Sequence, residues 1–222
     1  MNINILYEDN HLLLVEKPIN IPVQRDSSGD FDLLTALKDD LKVRYKKPGN
    51  VYLALVHRLD RPVGGAMAFA KTSKAASRLS DALRRKMIKR KYLTVVHGVP
   101  KTKKRRLEDY IWKDNGRNKV FVVSSNPKAK KAILNYETIL SQKGFSLLSV
   151  QLHTGRPHQV RVQLSNMGNP IFGDQKYGQH LSKRGQQLAL WAHVLSFKHP
   201  VRKKPLSVES MPPSVFPWNL LL

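Results

Sequence analysis

At 222 residues and 41% apolar content, the chain can bury a core as one large domain or two small lobes, and its charge does not imply disorder. It carries 39 Lys and Arg against 16 Asp and Glu, a formal net charge of +23, which points to a polyanionic partner, nucleic acid ahead of a membrane surface. With no cysteine, it excludes disulfides, thiolate nucleophiles and the Cys-ligated zinc of base deaminases.

Two short strands are expected at 3–7 and 12–16, either side of the turn-forming Glu8-Asp9-Asn10. Lys17-Pro18 closes the second, because proline donates nothing to a ladder. The opening segment lacks a basic n-region with an apolar stretch and cleavage site, and no run approaches the ~18 apolar residues of a membrane span. The default is a soluble cytoplasmic protein. Residues 24–30 read as a loop, and a helix follows over about 31–44, with Leu33, Leu34, Leu37 and Leu41 on one stripe. Strand 51–56 leads into His57-Arg58-Leu59-Asp60, and Gly64-Gly65 precedes an apolar run at 66–70, allowing close backbone approach.

Thr72 is the expected N-cap of a helix running through about residue 90, with Ala75, Leu79, Leu83 and Met87 on its apolar face. Strands are expected at 92–96, 119–123, 132–140 and 145–152. Residues 157–167 read as a helix, Pro157 in its first turn and Gly168 at its stop. Val160, Leu164 and Met167 share its core face, while His158, Arg161 and Ser165 lie on a neighbouring one. Strands at 188–197 and 206–209 complete the sheet. Strands dominate without β-α alternation, so the expectation is α+β with a mixed, mostly antiparallel central sheet, not a doubly wound fold. No repeat or linker divides the chain, and residues 1–222 read as a single domain.

Between Asp81 and Glu108 no acidic residue occurs, whereas Arg84, Arg85, Lys86, Lys89, Arg90 and Lys91 are cationic, followed by Lys101, Lys103, Lys104, Arg105 and Arg106. A solvated helix face normally mixes both signs. A stretch of one sign reads instead as a phosphate-contacting surface.

An aspartate after a strand can be no more than a turn residue. Asp60, however, adjoins Arg58 and Arg61, and nearby cations favour the ionised carboxylate that a nucleophile needs at neutral pH. Spacing alone leaves both readings open. It likewise leaves Tyr92 as an ordinary strand tyrosine and Arg161 as a surface helix residue.

The run His57-Arg58-Leu59-Asp60-Arg61-Pro62-Val63-Gly64-Gly65, then Lys91-Tyr92-Leu93, then Thr154-Gly155-Arg156-Pro157-His158-Gln159-Val160-Arg161-Val162 resembles the RluA-type pseudouridine synthase family in order and spacing. Tyr7-Glu8-Asp9-Asn10, Glu16-Lys17-Pro18, Pro170-Ile171-Phe172-Gly173-Asp174 and Tyr177 fit its pattern too, so the similarity covers nearly the whole chain. The resemblance implies a pseudouridine synthase fold, with helices flanking the sheet and a central RNA-binding cleft. It implies that Asp60 is the catalytic aspartate and that Tyr92 stacks on the target uracil. It implies that Arg161 pairs with that aspartate and that Arg58 enters the RNA stack as the nucleotide flips. Arg156 and His158 then support their loop or contact phosphate, and Lys17-Pro18 is structural.

The chain departs from the family pattern at Pro62-Val63-Gly64-Gly65, where many relatives have a Thr-Ser-Gly-type turn. Pro157 also replaces a frequent Thr, and Gln163 a frequent His; these differences bear on local RNA fit. The catalytic pattern starts within the first twenty residues, which leaves no room before it for the S4 RNA-binding domain that family members often carry. RNA affinity is then expected from the catalytic domain's own basic surface.

The resulting expectation is a monomeric enzyme that isomerises specific uridines of structured RNA, ribosomal or transfer, to pseudouridine. Neither metal nor cofactor is expected, since the reaction has no redox change, and no Walker A, G-x-G-x-x-G or H-E-x-x-H pattern occurs. The alternatives are a non-catalytic RNA-binding or ribosome-assembly factor on the same scaffold, and a glycoside hydrolase. The latter needs two paired carboxylates, of which a recognisable motif offers only Asp60.

Overall fold

The computed structural model describes residues 3–222. In chain order run β1 (Ile5–Glu8), β2 (Leu12–Lys17), α1 (Leu33–Arg44), β3 (Ala54–Leu55), β4 (Gly64–Ala70), α2 (Ser73–Arg84) and β5 (Lys89–His97). Then follow β6 (Lys104–Asp114), β7 (Lys119–Val122), β8 (Lys130–Gln142), β9 (Phe145–Leu152), α3 (Gln159–Asn166), β10 (Leu190–Lys198) and β11 (Pro205–Glu209). These elements form two compact units: residues up to Ile88 with Ala192–Met211, and Lys89–Trp191 with Pro212–Leu222. Among the described residues no helix is long and apolar enough to cross a membrane.

In the first unit the strand order is β1-β2-β4-β10, with β11 on β10 and β3 on β4. Leu12, Leu13, Leu14 and Val15 of β2 are all fully buried, as are Met67, Phe69 and Ala70 of β4. Both faces of these strands are therefore covered, which is why their sequences read as unbroken apolar runs and not as alternation. α2 supplies part of that cover, placing Ala75 and Leu79 in one cluster with Leu12, Leu14, Ala66 and Ala68. Both longer helices of this unit start at side-chain caps, Asp32 accepting from the Thr35 N–H and Thr72 from the Ala75 N–H, each worth about 1 kcal/mol.

In the second unit the order is β5-β9-β8-β6-β7, and every neighbouring pair runs antiparallel. The expected α+β class with a mostly antiparallel sheet is what the chain adopts. α3 packs against the far end of this sheet, with Val162 in a cluster with Ile111, Val120 and Ala132.

Three local expectations need correction. α2 stops at Arg84, not near residue 90, because Lys86 turns to φ 58° and the chain from Lys89 onward pairs with β9. Tertiary ladder bonds override helix propensity there. The strand expected at 51–56 shrinks to Ala54–Leu55, although Val51 and Leu53 stay buried. The eleven-residue β6 has no counterpart among the expected strands, because only Leu107 and Ile111 along it are buried while its other side chains are half-buried or exposed, several of them charged. Strand alternation is invisible where the inward face carries so few apolar groups.

Candidate active site

Asp60 sits half-buried in the connection from β3 to β4, between buried Leu59 and a turn closed by the Val63 N–H donating to the Asp60 carbonyl at 3.0 Å. His57 is fixed by the Ala68 N–H, which donates to its Nε2 at 3.0 Å and so places the ring proton on Nδ1. Arg58 is exposed. Arg61 turns its guanidinium away onto Asp30, the Asn20 carbonyl and Ser28.

What holds this turn is Lys17, at the end of β2 and completely buried. Its Nζ donates to the carbonyls of Pro18 at 2.8 Å, Arg61 at 3.0 Å and Val63 at 2.8 Å. Three acceptors match the three N–H donors of an ammonium. Burial pushes the Lys17 pKa down to about 7, with the Asp60 charge pulling it up and Arg61 pushing it down. Lys17 stands opposite Gly65 in the β2–β4 register, and Gly65 must be glycine: its φ is 113°, and a Cβ would lie 2.3 Å from the Ala192 carbonyl oxygen. The sequence marks Lys17-Pro18 as structural, and its direct grip on the turn after Asp60 goes beyond that expectation. A lysine that ends a strand opening with four apolar residues is the available signal.

The cationic residues at the end of α2 belong to the same unit. Arg84 and Arg85 pair with Asp81 at 2.5 and 3.7 Å, with side chains 80% and 65% exposed, and Lys86 is exposed. Such surface pairs contribute little to stability and leave the cations accessible.

In the second unit, Tyr92 lies on β5 opposite Val150 and is 7% exposed. Lys89 and Lys91, earlier on the same strand, are exposed. Arg90 is half-buried, and its guanidinium fills the space over Gly155, where a Cβ would meet Nη1 at 2.6 Å.

Arg161 is not a surface residue. On α3 it is 7% exposed, and its Nε and Nη2 donate to the two carboxylate oxygens of Asp174, both at 2.8 Å. Asp174, 1% exposed, also accepts the backbone N–H groups of Lys176 and Tyr177 at 2.9 and 3.0 Å. Burial raises the Asp174 pKa, but the Arg161 hydrogen bonds and charge together with those N–H groups outweigh it and hold the carboxyl below the usual 3.8. A buried two-point pair of this kind fixes the plane of a guanidinium. The family resemblance offers Arg161 one carboxylate partner, Asp60; Asp174 is another, carried by the Phe172-Gly173-Asp174 segment to which the sequence assigns no role.

The loop before α3 is equally tied down. Gln159 accepts from the Thr154 hydroxyl at 2.7 Å and the Arg156 N–H at 3.1 Å, and donates to the Ile133 carbonyl at 3.1 Å and Gln163 at 3.0 Å. Arg156 Nε reaches the Lys131 carbonyl at 3.1 Å. His158 is not helical; it takes φ 51° at the N-cap, and its Nδ1 lies 2.7 Å from the Tyr177 hydroxyl. Tyr177 in turn carries the Arg161 guanidinium over its ring at 5.3 Å.

The motifs that supply most of these groups lie within a region matched by one family model. Residues 11–166 match the family described as RNA pseudouridylate synthase. The ribosomal large subunit pseudouridine synthase C of Buchnera aphidicola subsp. Baizongia pistaciae is 35% identical over 207 residues, covering 90% of this chain and 64% of that protein. The chain thus spans somewhat less than two thirds of that relative, and 54% of the length of the same-named protein of the Acyrthosiphon pisum strain. An uncharacterized RNA pseudouridine synthase of Zymomonas mobilis is 30% identical over 213 residues, covering 96% of this chain and 94% of that one. In fold, the structure of human RNA pseudouridylate synthase domain containing 4 superposes with a TM-score of 0.80 at 24% identity, over 95% of this chain and 88% of the other. Ordered motifs, matched sequence and shared fold agree: the chain belongs to the RNA pseudouridylate synthase family.

Proposed function

We propose that this protein is an RNA pseudouridine synthase whose two units act as one catalytic domain, a cytoplasmic monomer working on structured RNA. The observation that carries the reading is the Asp60 carboxylate of the family-matched region, followed by a turn that a buried lysine holds by the Arg61 and Val63 carbonyls. Relatives named for the large ribosomal subunit favour ribosomal over transfer RNA as the substrate.

In this reading a uridine leaves its stack, which costs a few kcal/mol, and stacking on Tyr92 returns about 1–3 kcal/mol. Asp60 attacks either ribose C1′ or base C6, and the N1–C1′ bond breaks. The base rotates, C5 bonds to C1′, the C5 proton departs, N1 gains a proton and the carboxylate is released. Nothing is oxidised or reduced. Arg161, its plane set by Asp174, is the cation that pairs with Asp60, and Arg58 enters the stack in place of the flipped nucleotide. Arg84, Arg85, Lys86, Lys89, Arg90, Lys91, Arg156 and His158 contribute contacts to the RNA backbone.

The test is incubation with uridine-rich transcripts followed by chemical mapping of pseudouridine. The native chain yields product and Asp60→Asn yields none, while RNA affinity of the variant stays within about twofold. RNA binding without product from the native chain would assign the scaffold to a non-catalytic binding factor. Equal product from both proteins would remove Asp60 from the chemistry.

A further inference from the structure

The second unit holds a cleft of about 400 Å³ between the edge strand β7, helix α3 and the segment after Asp174. No residue lining it is acidic, whereas Lys119, Lys176 and His180 can all carry positive charge. Phe121 forms part of the wall, and Trp112, its cross-strand partner, stacks beside it at 6.2 Å between ring centres and 26° between planes. Lys119 Nζ lies 5.8 Å from both the Phe121 and Tyr177 ring centres. Asn166 and Gln179 add amides that can both donate and accept. Tyr177 also lines it, and its hydroxyl accepts the edge N–H of Val120 at 2.8 Å.

We propose that this cleft binds one nucleotide of the RNA strand outside the flipped uridine, its phosphate on Lys119 and Lys176 and its base against the Phe121–Trp112 rings. The inference rests on the reading of the chain as an enzyme that acts on RNA, and it assigns that enzyme a second contact with the strand. A cleft lined by cations without carboxylates attracts an anion. An aromatic surface beside it accepts any base, because every base has a π-face. A nucleotide in a strand presents both groups at once. Tyr177 links the cleft to α3 by its bond to His158 and its ring contact with Arg161, so an occupant would also steady the residues around Arg161.

The natural reporter is Trp112, which is half-buried, while Trp191 and Trp218 are 6% and 4% exposed. The measurement uses the full-length Asp60→Asn chain, so that chemistry plays no part, and a short oligouridylate as the probe. Titration should quench tryptophan fluorescence, and Trp112→Phe should abolish the quench. Phe121→Ala should weaken binding roughly tenfold. Lys119→Ala should lower the slope of log affinity against log salt by about 0.7. Unchanged affinity and slope in Lys119→Ala, with folding verified by thermal melting, would overturn the proposal. So would uridine monophosphate quenching as tightly as the oligonucleotide, which would mark a free-nucleotide site. A concentration-dependent dimer that both variants dissolve would give the cleft to a second copy of the chain and overturn it equally. Pseudouridine formation by the native chain is scored separately, so a chain that binds here yet makes no product would sink the enzyme reading and leave the cleft standing.

Discussion

Lys17 sets its N–H donors on three carbonyls, two of which belong to the turn that follows Asp60. Its folded pKa of about 7 lies below the ordinary 10.5, so between these values the unfolded chain keeps a proton that the folded chain releases. Stability must therefore rise with pH across that window, and it is lowest below pH 7, where burial opposes a charge present in both states. Function should move the other way, because a neutral amine has two N–H groups for three acceptors and the turn loosens. The expected outcome is an alkaline limb in kcat beginning near pH 7 while the urea midpoint climbs. Lys17→Met should flatten the stability rise and lower kcat throughout. An activity profile that is flat from pH 7 to 9 in the native chain would show that the Asp60 turn does not depend on the third hydrogen bond.

The buried Arg161–Asp174 pair works differently. Removing one partner of such a pair leaves an uncompensated charge and typically costs 3–5 kcal/mol, so the pair fixes geometry at the risk of a large loss. Its benefit is orientation, since Nε and Nη2 are both committed to one carboxylate and the plane of the group is set.

The end of α2 shows how a helix and a strand divide the basic stretch. Arg84, Arg85 and Lys86 lie at the helix C-terminus, where cations are favoured by the helix dipole, while Lys89, Arg90 and Lys91 alternate along β5. Alternation buries part of Arg90 and exposes its two neighbours, so the three cations of β5 do not share one face. Replacing Arg84, Arg85 and Lys86 by Ala should weaken RNA binding and reduce the salt slope by up to about 2–3, at roughly 0.9 for each duplex phosphate that is no longer neutralised. Thermal stability should change little, as the Asp81 pairs are exposed. An unaltered slope would mean that this end of the helix faces away from the RNA. Among the elements, those with continuous apolar runs or clear caps are legible in the sequence: β2, β4, α1 and the start of α2. β6 is not, because its many charged side chains hide the period of two, and the far end of α2 is not, because residues 85–90 have helical propensity and yield to pairing with β9.

A net charge of +23 on 222 residues stores repulsion in the folded chain. Among the ion pairs, Lys104–Glu137, Lys131–Glu108 and Arg117–Asp114 are largely exposed and screened as easily as that repulsion. The repulsion involves more charges, so raising the salt concentration should stabilise the free protein. In differential scanning calorimetry the Tm should increase by a few degrees between about 50 mM and 300 mM salt, a gain of about 1 kcal/mol at this chain length. A falling Tm would mean that the ion pairs dominate.

Composition and motif order suffice to point to an anionic partner and to mark the family, the α+β class and the aspartate on which the chemistry is proposed to turn, because each is written in residue identity or in spacing along the chain. The lysine that secures the Asp60 turn from 46 positions away, the carboxylate that orients Arg161, the αL turn at His158 and the cleft beside β7 are written in neither. Each depends on donors and acceptors brought together by sheet register and burial, and hydrogen bonds between distant segments leave no period in the residues that form them.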